Sequence, residues 1–281
     1  MLAEVIRYLR CPVCALPLAG AADGRALRCP RRHTFDIARQ GYVNLTAGRA
    51  PHGGDTPEMV AARDEFLRSG AYDFISAALV AAAQATVPAG ALVVDAGAGT
   101  GYHLAAVLDA LPDAVGVALD VAKPALRRAA RVHPRCGAAL ADTWTGLPLA
   151  DGAASLLLNV FAPRNGGEFR RVLREEGALL VVTPATDHLA ELIGPLGLLR
   201  VDPEKPARVA GSLAGHFTPV RTESLRRTLW LSRAQVRALV AMGPSAWHTD
   251  PGRLSAAIDT LPDPMAVTAA VTLGVYRPAP G

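Results

Sequence analysis

Apolar residues follow two rhythms along this chain. Short aliphatic, β-branched runs occur at Ala91–Asp95 (ALVVD), Val115–Asp120 (VGVALD), about 137–141, 155–161 and 177–183. Their length and composition predict buried strands. Between them, residues 102–111, KPALRRAARVH (123–133) and a segment opened by Arg164-Asn165-Gly-Gly-Glu168 and ending near Leu173 predict helices. Two more helices are expected upstream, from Pro57 to Gly70 and from Tyr72 to about Thr86. Thr56 or Asp55 can cap the first, Pro57 suits its first turn, and Glu58 favours the positive end of the dipole. Strands alternating with helices predict an α/β fold with a parallel, doubly wound sheet. Sites in such sheets lie at the carboxyl ends of the strands. That rule gathers Asp95, Asp120, Asp142, residues 159–163 and residues 183–188 on one rim.

A hydrophobic fraction of 51% against 19% charged residues supports a sizeable core and excludes wholesale disorder. No stretch approaches the roughly 20 apolar residues of a membrane span. The N-terminus has no apolar core of signal-peptide length, so a soluble cytoplasmic protein is expected. Residues 46–54 (TAGRAPHGG) lack apolar periodicity and form the best boundary candidate. The expected organisation is a metal ribbon at 1–50, a linker and helical segment at 51–90, and a catalytic domain at 91–281.

Three of the four cysteines lie near the start of the chain. Cys11-Pro-Val-Cys14 and Cys29-Pro-Arg-Arg-His33 form two paired knuckles, each able to offer two ligands to one tetrahedral ion. Sulfur and imidazole suit zinc, and four protein ligands make the site structural. Leu16–Leu18 and Ala26–Arg28 flank Asp23-Gly24, a strong hairpin signal, so a zinc ribbon is expected. Isolated Cys136 reads as a small buried thiol.

The net charge is +4. Residues 1–50 hold eight arginines against Glu4, Asp23 and Asp36, an excess of five, while the remainder nets −1. A basic module on a near-neutral body suggests a nucleic-acid contact, with Arg28, Arg31, Arg32 and Arg39 as candidates. The chain carries lysine only at 123 and 205 and is rich in alanine, so coding composition is the competing explanation of its arginines.

The first strand ends at Asp95 and runs into Ala96-Gly97-Ala98-Gly99-Thr100-Gly101 before a helix. Strand, glycine-rich turn and helix make a nucleotide-cofactor grip. The pattern D-x-G-x-G-x-G, with an acid ahead of the glycines, resembles the first motif of class I S-adenosylmethionine-dependent methyltransferases rather than a dinucleotide site. Glycines let the backbone approach the cofactor's amino-acid end. Asp120, at the end of the second strand, can accept from both ribose hydroxyls or cap the following helix. Asp142 can accept from the adenine amino group, with Thr143 or Trp144 covering the ring.

Together, CPVC…CPRRH, FDIARQGYVNL, GDTPEMVAAR, DAGAGTGYH, NVFAPRN, TPATDHLAEL and MGPSAWH resemble the large-subunit (23S) ribosomal RNA guanine-N1 methyltransferases. The resemblance spans roughly residues 7–277 and is nearest to the branch linked to resistance against tylosin- and mycinamicin-type macrolides. It implies a class I methyltransferase fold (a Rossmann-like doubly wound sheet) with an N-terminal zinc ribbon. It implies one structural zinc on Cys11, Cys14, Cys29 and His33. S-adenosylmethionine would meet Tyr72, Asp95, Gly97, Gly99, Thr100, Gly101, Asp120, Asp142, Asn159 and His188, of which Tyr72 and His188 come from the resemblance alone. Thr100 stands where some relatives carry an acid, which keeps a polar contact but not a charge. The expected partner is a hairpin loop of 23S rRNA, with no membrane and with a homodimer left open. Asn159 to Pro163, with Phe161 as a stacking face, would hold the guanine. No spacing assigns a catalytic base: Asp142, Glu58 and Asp55 are candidates, as is water. Two other readings stand beside this one. A small-molecule methyltransferase would use the same cofactor turn without needing a basic ribbon, and a non-enzymatic zinc-ribbon RNA-binding protein would bind no cofactor.

Overall fold

The computed structural model describes residues 2–48, 53–88, 90–243 and 250–280. Residues 49–52 of the expected linker, with Arg49, and residues 244–249, which include the last five of the MGPSAWH segment, lie outside the described residues.

The chain opens with α1 (Leu2–Val5), a 3-10 turn, and the ribbon strands β1 (Ala19–Gly20), β2 (Ala26–Arg28) and β3 (Thr34–Asp36), followed by β4 (Tyr42–Asn44). Helices α2 (Pro57–Arg68) and α3 (Asp73–Thr86) precede β5 (Leu92–Ala96), α4 (Tyr102–Ala110), β6 (Val115–Asp120), α5 (Lys123–Val132) and β7 (Cys136–Leu140). Then come β8 (Ala154–Val160), α6 (Gly166–Val172), β9 (Leu173–Pro184), α7 (Ala190–Leu196) and α8 (Lys205–Leu213). Strand β10 (Phe217–Leu231), α9 (Arg233–Ala241), α10 (Pro251–Asp259) and β11 (Met265–Pro278) follow. None of the described helices is long and apolar enough to cross a membrane.

The main sheet has eight strands in the order β10-β11-β9-β8-β5-β6-β7-β4. Its members from β9 to β4 run parallel, and β11 is antiparallel to both β9 and β10. The chain runs from β5 outward through β6 to β7, then returns to place β8 on β5's other side. The switch point therefore lies between β5 and β8, where such sheets open a crevice.

Alternation along each strand divides the core in two. Val93, Ala118, Leu140, Leu158 and Leu180 face the layer made by α3, α4, α5 and α9. Their neighbours Val94, Leu119, Ala139, Leu157 and Leu179 face Val5, Leu9, Leu18 and Leu27 of the N-terminal segment, together with Phe169 of α6 and Leu213 of α8. Both faces of the sheet are thus covered, as its unbroken apolar runs require.

This packing corrects two expectations. The ribbon is not set apart by the boundary at residue 50, because β4 is the sheet's edge strand, paired in parallel with β7. Backbone bonds from Arg10 N to Pro148 O and from Ala150 N to Tyr8 O, both 2.9 Å, fasten it further. The arm of the ribbon hairpin is Ala19–Gly20, not Leu16–Leu18, since the turn around Asp23-Gly24 is longer than two residues. Strands β10 and β11 had no counterpart in the sequence reading. Most of β10 is exposed, as suits an edge strand, so its residues carry no buried-strand signal.

Candidate active site

Each metal knuckle is shaped by a left-handed residue, Ala15 at φ 57° and Arg32 at φ 66°. Ala15 N–H closes the first turn on Cys11 O, and Arg32 N–H closes the second on Cys29 O, both at 2.8 Å. The turns bring Cys11, Cys14, Cys29 and His33 together with all four ligand atoms within 4.8 Å of one another. Cys14 Sγ lies 3.7 Å from Cys29 Sγ, and Cys11 Sγ lies 3.5 Å from His33 Nδ1. A tetrahedron with Zn–S bonds of about 2.3 Å and a Zn–N bond of about 2.0 Å has edges of roughly 3.5–3.8 Å. The cluster fits one structural zinc with His33 binding through Nδ1. Arg28, Arg31, Arg32 and Arg39 are all exposed around it.

At the carboxyl ends of β5, β6, β7 and β8 lies a cleft of about 830 Å³. Its floor is the glycine turn. Gly97 has φ 87°, and a Cβ there would stand 2.3 Å from Ala162 Cβ, so only glycine lets the turn pass beneath the β8 loop. Asp120 holds the turn in place: its Oδ2 accepts from Gly99 N at 2.8 Å and its Oδ1 from Ala122 N at 2.7 Å. Asp120 also lines the cleft; it bonds Ala122 N, the residue before α5, but makes no side-chain cap bond to the helix itself.

Asp95 is 2% exposed, and its Oδ1 has no hydrogen-bond partner among the described residues. Burial, with a smaller contribution from the Asp120 charge, pushes its carboxyl up to about 8. An orphaned buried acceptor in a cleft is a group waiting for a donor. Together with the glycine turn it fits S-adenosylmethionine, whose ammonium and hydroxyls are donors. Thr100, Asp142, Thr143 and Trp144 line the same cleft, Trp144 with 53% of its surface exposed. Asp142 Oδ1 accepts from Trp144 N at 3.0 Å. The loop carrying them is pinned by Arg171, which bonds Leu147 O and Leu149 O at 2.8 Å and pairs with Glu168 and Asp151.

The opposite wall is aromatic. Phe161 adopts φ 53° and presents a ring 42% exposed, with its centroid 6.2 Å from Tyr72 and 6.1 Å from His188. A bulky residue in this conformation is strained, and the strain aims the ring into the cleft. His188 Nδ1 accepts from Ala270 N at 3.2 Å, and His188 Nε2 lies 3.2 Å from Tyr72 Oη. Burial draws the imidazole down to about 4 and raises the Tyr72 phenol, so both are neutral at pH 7. The backbone bond to Nδ1 leaves the imidazole proton on Nε2, pointing at Tyr72 Oη, and the phenol hydrogen is available to a bound group.

Three expected site residues fall elsewhere. Asn159 is fully buried, and its amide donates to Ala96 O at 3.0 Å and Pro163 O at 2.8 Å. It braces the β8 loop against β5 instead of touching the cleft, because a buried amide spends its donors on nearby carbonyls. Gly101 caps α4 and lies against Ala129 and Val132 of α5. Glu58, in the first turn of α2, is exposed, its carboxyl drawn below its ordinary value by its own backbone N–H and the Thr56 side chain, and lies outside the cleft lining. The cap of α2 is Thr56, which accepts from Met59 N. Asp55 instead pairs with Arg63, and both line the cleft.

Arg63, the last residue of GDTPEMVAAR, also lines the cleft, as do Arg200, Lys205 and Arg208, which no motif singled out. Arg63 bonds Met242 O at 3.1 Å, joining the GDTPEMVAAR segment to the end of α9. Such a contact links residues far apart in sequence and leaves no local spacing signal.

A zinc-ribbon family model described as "RlmA, N-terminal" matches residues 9–47. A 23S rRNA (guanine-N(1)-)-methyltransferase of Micromonospora griseorubida is 62% identical, covering 98% of this chain and 99% of that one. The 23S rRNA (guanine(748)-N(1))-methyltransferase of Streptomyces fradiae is 54% identical over 99% of each chain. Among solved structures, a methyltransferase complexed with the Haloferax volcanii Trm112 activator shares the fold at TM-score 0.53 and 16% identity, covering 80% of this chain and 98% of its own.

Proposed function

From the family of 23S rRNA (guanine-N1)-methyltransferases, to which this chain belongs, we infer that it transfers a methyl group from S-adenosylmethionine to N1 of a guanine in a 23S rRNA hairpin loop. The Streptomyces fradiae relative is named for guanine 748, and we propose the same guanine here. The observation that supports the reading best is a single cleft joining the glycine turn, with its orphaned Asp95 oxygen, to the exposed ring of Phe161.

When bound, the cofactor supplies a methyl group made electrophilic by its sulfonium. Asp95, Asp120, Asp142 and the turn at Gly97 to Thr100 would hold it. Phe161 offers the face on which an unstacked guanine rests, as chemistry on a base requires taking it out of its stack. Tyr72 and His188 keep that ring in position and shield the cleft from water. Guanine N1 carries a proton at neutral pH, so that proton must leave as N1 gains its bond to carbon. Asp55 and Asp142 are the carboxylates we propose as acceptors, with orientation supplying most of the rate. Ribosomal RNA places the reaction in the cytoplasm.

Purified protein incubated with labelled cofactor should methylate unmodified 23S rRNA and not macrolides or other small molecules. Label on small molecules alone would favour the antibiotic-methyltransferase reading. The resemblance to the tylosin- and mycinamicin-linked branch further supports a role in macrolide resistance. Expression in a susceptible host should raise the inhibitory concentration of such macrolides, and an unchanged concentration would remove that role while leaving the reaction intact.

A further inference from the structure

Charge counting assigns the whole basic excess to residues 1–50, yet a second group of cations stands at the mouth of the cleft. Lys205 is the first residue of α8, Arg208 lies one turn on, and Arg200 precedes them in the α7–α8 connection. Arg164, three residues after Phe161 on the β8–α6 loop, lies outside the cleft lining but close enough for its charge to act on Lys205. Close helix contact brings the two sources together: at Gly166, the start of α6, a Cβ would lie 2.3 Å from Ser212 O of α8. A larger residue there would push the loop and the helix apart.

These cations outnumber their counter-charge, Asp202, whose carboxylate acts on both Arg208 and Lys205. Arg208 pairs with Asp202 at 2.6 Å. Lys205, Arg200 and Arg164 make no ion pair among the described residues. Arg164 spends Nη1 on Ala162 O at 3.0 Å, while its buried Nε has no partner. Burial, then the charges of Arg164 and Arg208, pull the Lys205 ammonium below its ordinary value. Lys205 is also close enough to act on His188, which places it beside the aromatic wall. Four cations gathered around one carboxylate, with Lys205 and Arg164 partly desolvated, are stabilised by an anion.

We propose that Arg200, Lys205 and Arg208, with the Arg164 charge behind them, form a phosphodiester subsite that grips the RNA backbone beside the guanine in the cleft. This inference rests on the rRNA methyltransferase reading above. Position separates it from the cofactor's own carboxylate: Asp95 is buried in the cleft floor, whereas Arg200 and Arg208 are exposed at its mouth. Several spread cations also suit a polyanion better than one carboxylate. The ribbon arginines would then hold a remote part of the hairpin, while this group fixes the target nucleotide's own phosphates. Phosphate contacts of this kind set register and orientation.

The test is the affinity of the full-length protein for a transcript of the 23S rRNA hairpin containing guanine 748, measured across salt concentrations. Each lost phosphate contact shallows the plot of log affinity against log salt by roughly 0.7–0.9. The combined Lys205→Ala and Arg208→Ala variant should lose about one to two units of slope and at least about 10-fold in affinity near 0.1 M salt. Its cofactor affinity, read by calorimetry, should stay within about 2-fold, which also reports correct folding. Lys205→Arg with Arg208→Ala should recover close to one unit of slope. An unchanged slope overturns the subsite, as does a fall in cofactor affinity with RNA binding intact. Wild-type protein that neither binds nor methylates the transcript overturns the function assigned above, and the subsite with it.

Discussion

Asp95 and Asp120 stand one strand apart at the same rim and have opposite surroundings. In an unfolded chain Asp95 would ionise near pH 3.9, whereas burial in the fold pushes it up to about 8. Between those values the folded protein holds a proton that the unfolded chain releases. The cofactor-free protein should therefore lose stability as pH rises from about 4 to 8, with no contribution from this group below about 4. Asp95→Asn should narrow the difference in melting temperature between pH 5.5 and 7.5 and weaken cofactor binding. An unchanged difference would show that Asp95 is ionised in the free protein. Asp120 accepts on one oxygen from Gly99 N of the glycine turn and on the other from Ala122 N, ahead of α5. Asp120→Ala should weaken cofactor affinity roughly 10- to 100-fold, from two charge-assisted hydrogen bonds of about 1.5 kcal/mol each less replacement by water. Calorimetry with the methyl donor checks this, and an unaltered affinity would limit Asp120 to bracing the turn. Spacing alone pointed to both acids, because a strand's last residue and a glycine turn are local signals. It could not place the Asn159 side chain, whose donors are taken by carbonyls on a neighbouring strand and its own loop.

Elements decide how far a local change spreads. The glycine turn passes so close under the β8 loop that Gly97→Ala must displace Ala162 and, with it, the Phe161 ring. The substitution also asks alanine to adopt φ 87°. It should cost about 1–3 kcal/mol in stability and abolish detectable methyl transfer. A variant that melts and reacts like wild type would contradict the placement of the loop over the turn. The ribbon spreads its effects further than its sequence suggests. Small metal modules usually depend on the ion for folding, and here the module also supplies one wall of the core. Val5, Leu9, Leu18 and Leu27 pack against Val94, Leu119 and Ala139 of the sheet. Cys14→Ala should lose zinc by metal analysis and lower the single melting transition of the whole protein by roughly 10 °C, about 3 kcal/mol for a chain of this size. Two separated transitions would instead support an independent module. The knuckle spacing revealed the metal ligands, but burial of Leu9 and Leu18 beneath a sheet formed later in the chain leaves no mark in their own neighbourhood.

At the scale of the whole molecule, one side of the sheet is covered by the ribbon with α6 and α8 and the other by α3, α4, α5 and α9, while the strand ends make the cleft. The glycine-turn half of that cleft was legible because it is built from short local runs at 95–100, 120 and 142–144. In the other half, Phe161 was read from its strand end and Tyr72 and His188 only through the family resemblance, while Lys205 was missed, because these residues come from four separate segments that meet only in the fold. Net charge summed over long stretches hid the cations at its mouth among neighbouring acids. The account as a whole stands on one reaction at one atom. N1 lies on the pairing edge of guanine, so a methyl group there blocks reverse transcription. Purified protein and cofactor should be incubated with unmodified 23S rRNA and the product read by primer extension. The account predicts a new stop at guanine 748 that depends on the cofactor and vanishes in Gly97→Ala. Methyl incorporation with no stop in the 23S rRNA, or with methylation at another atom or base, would contradict it.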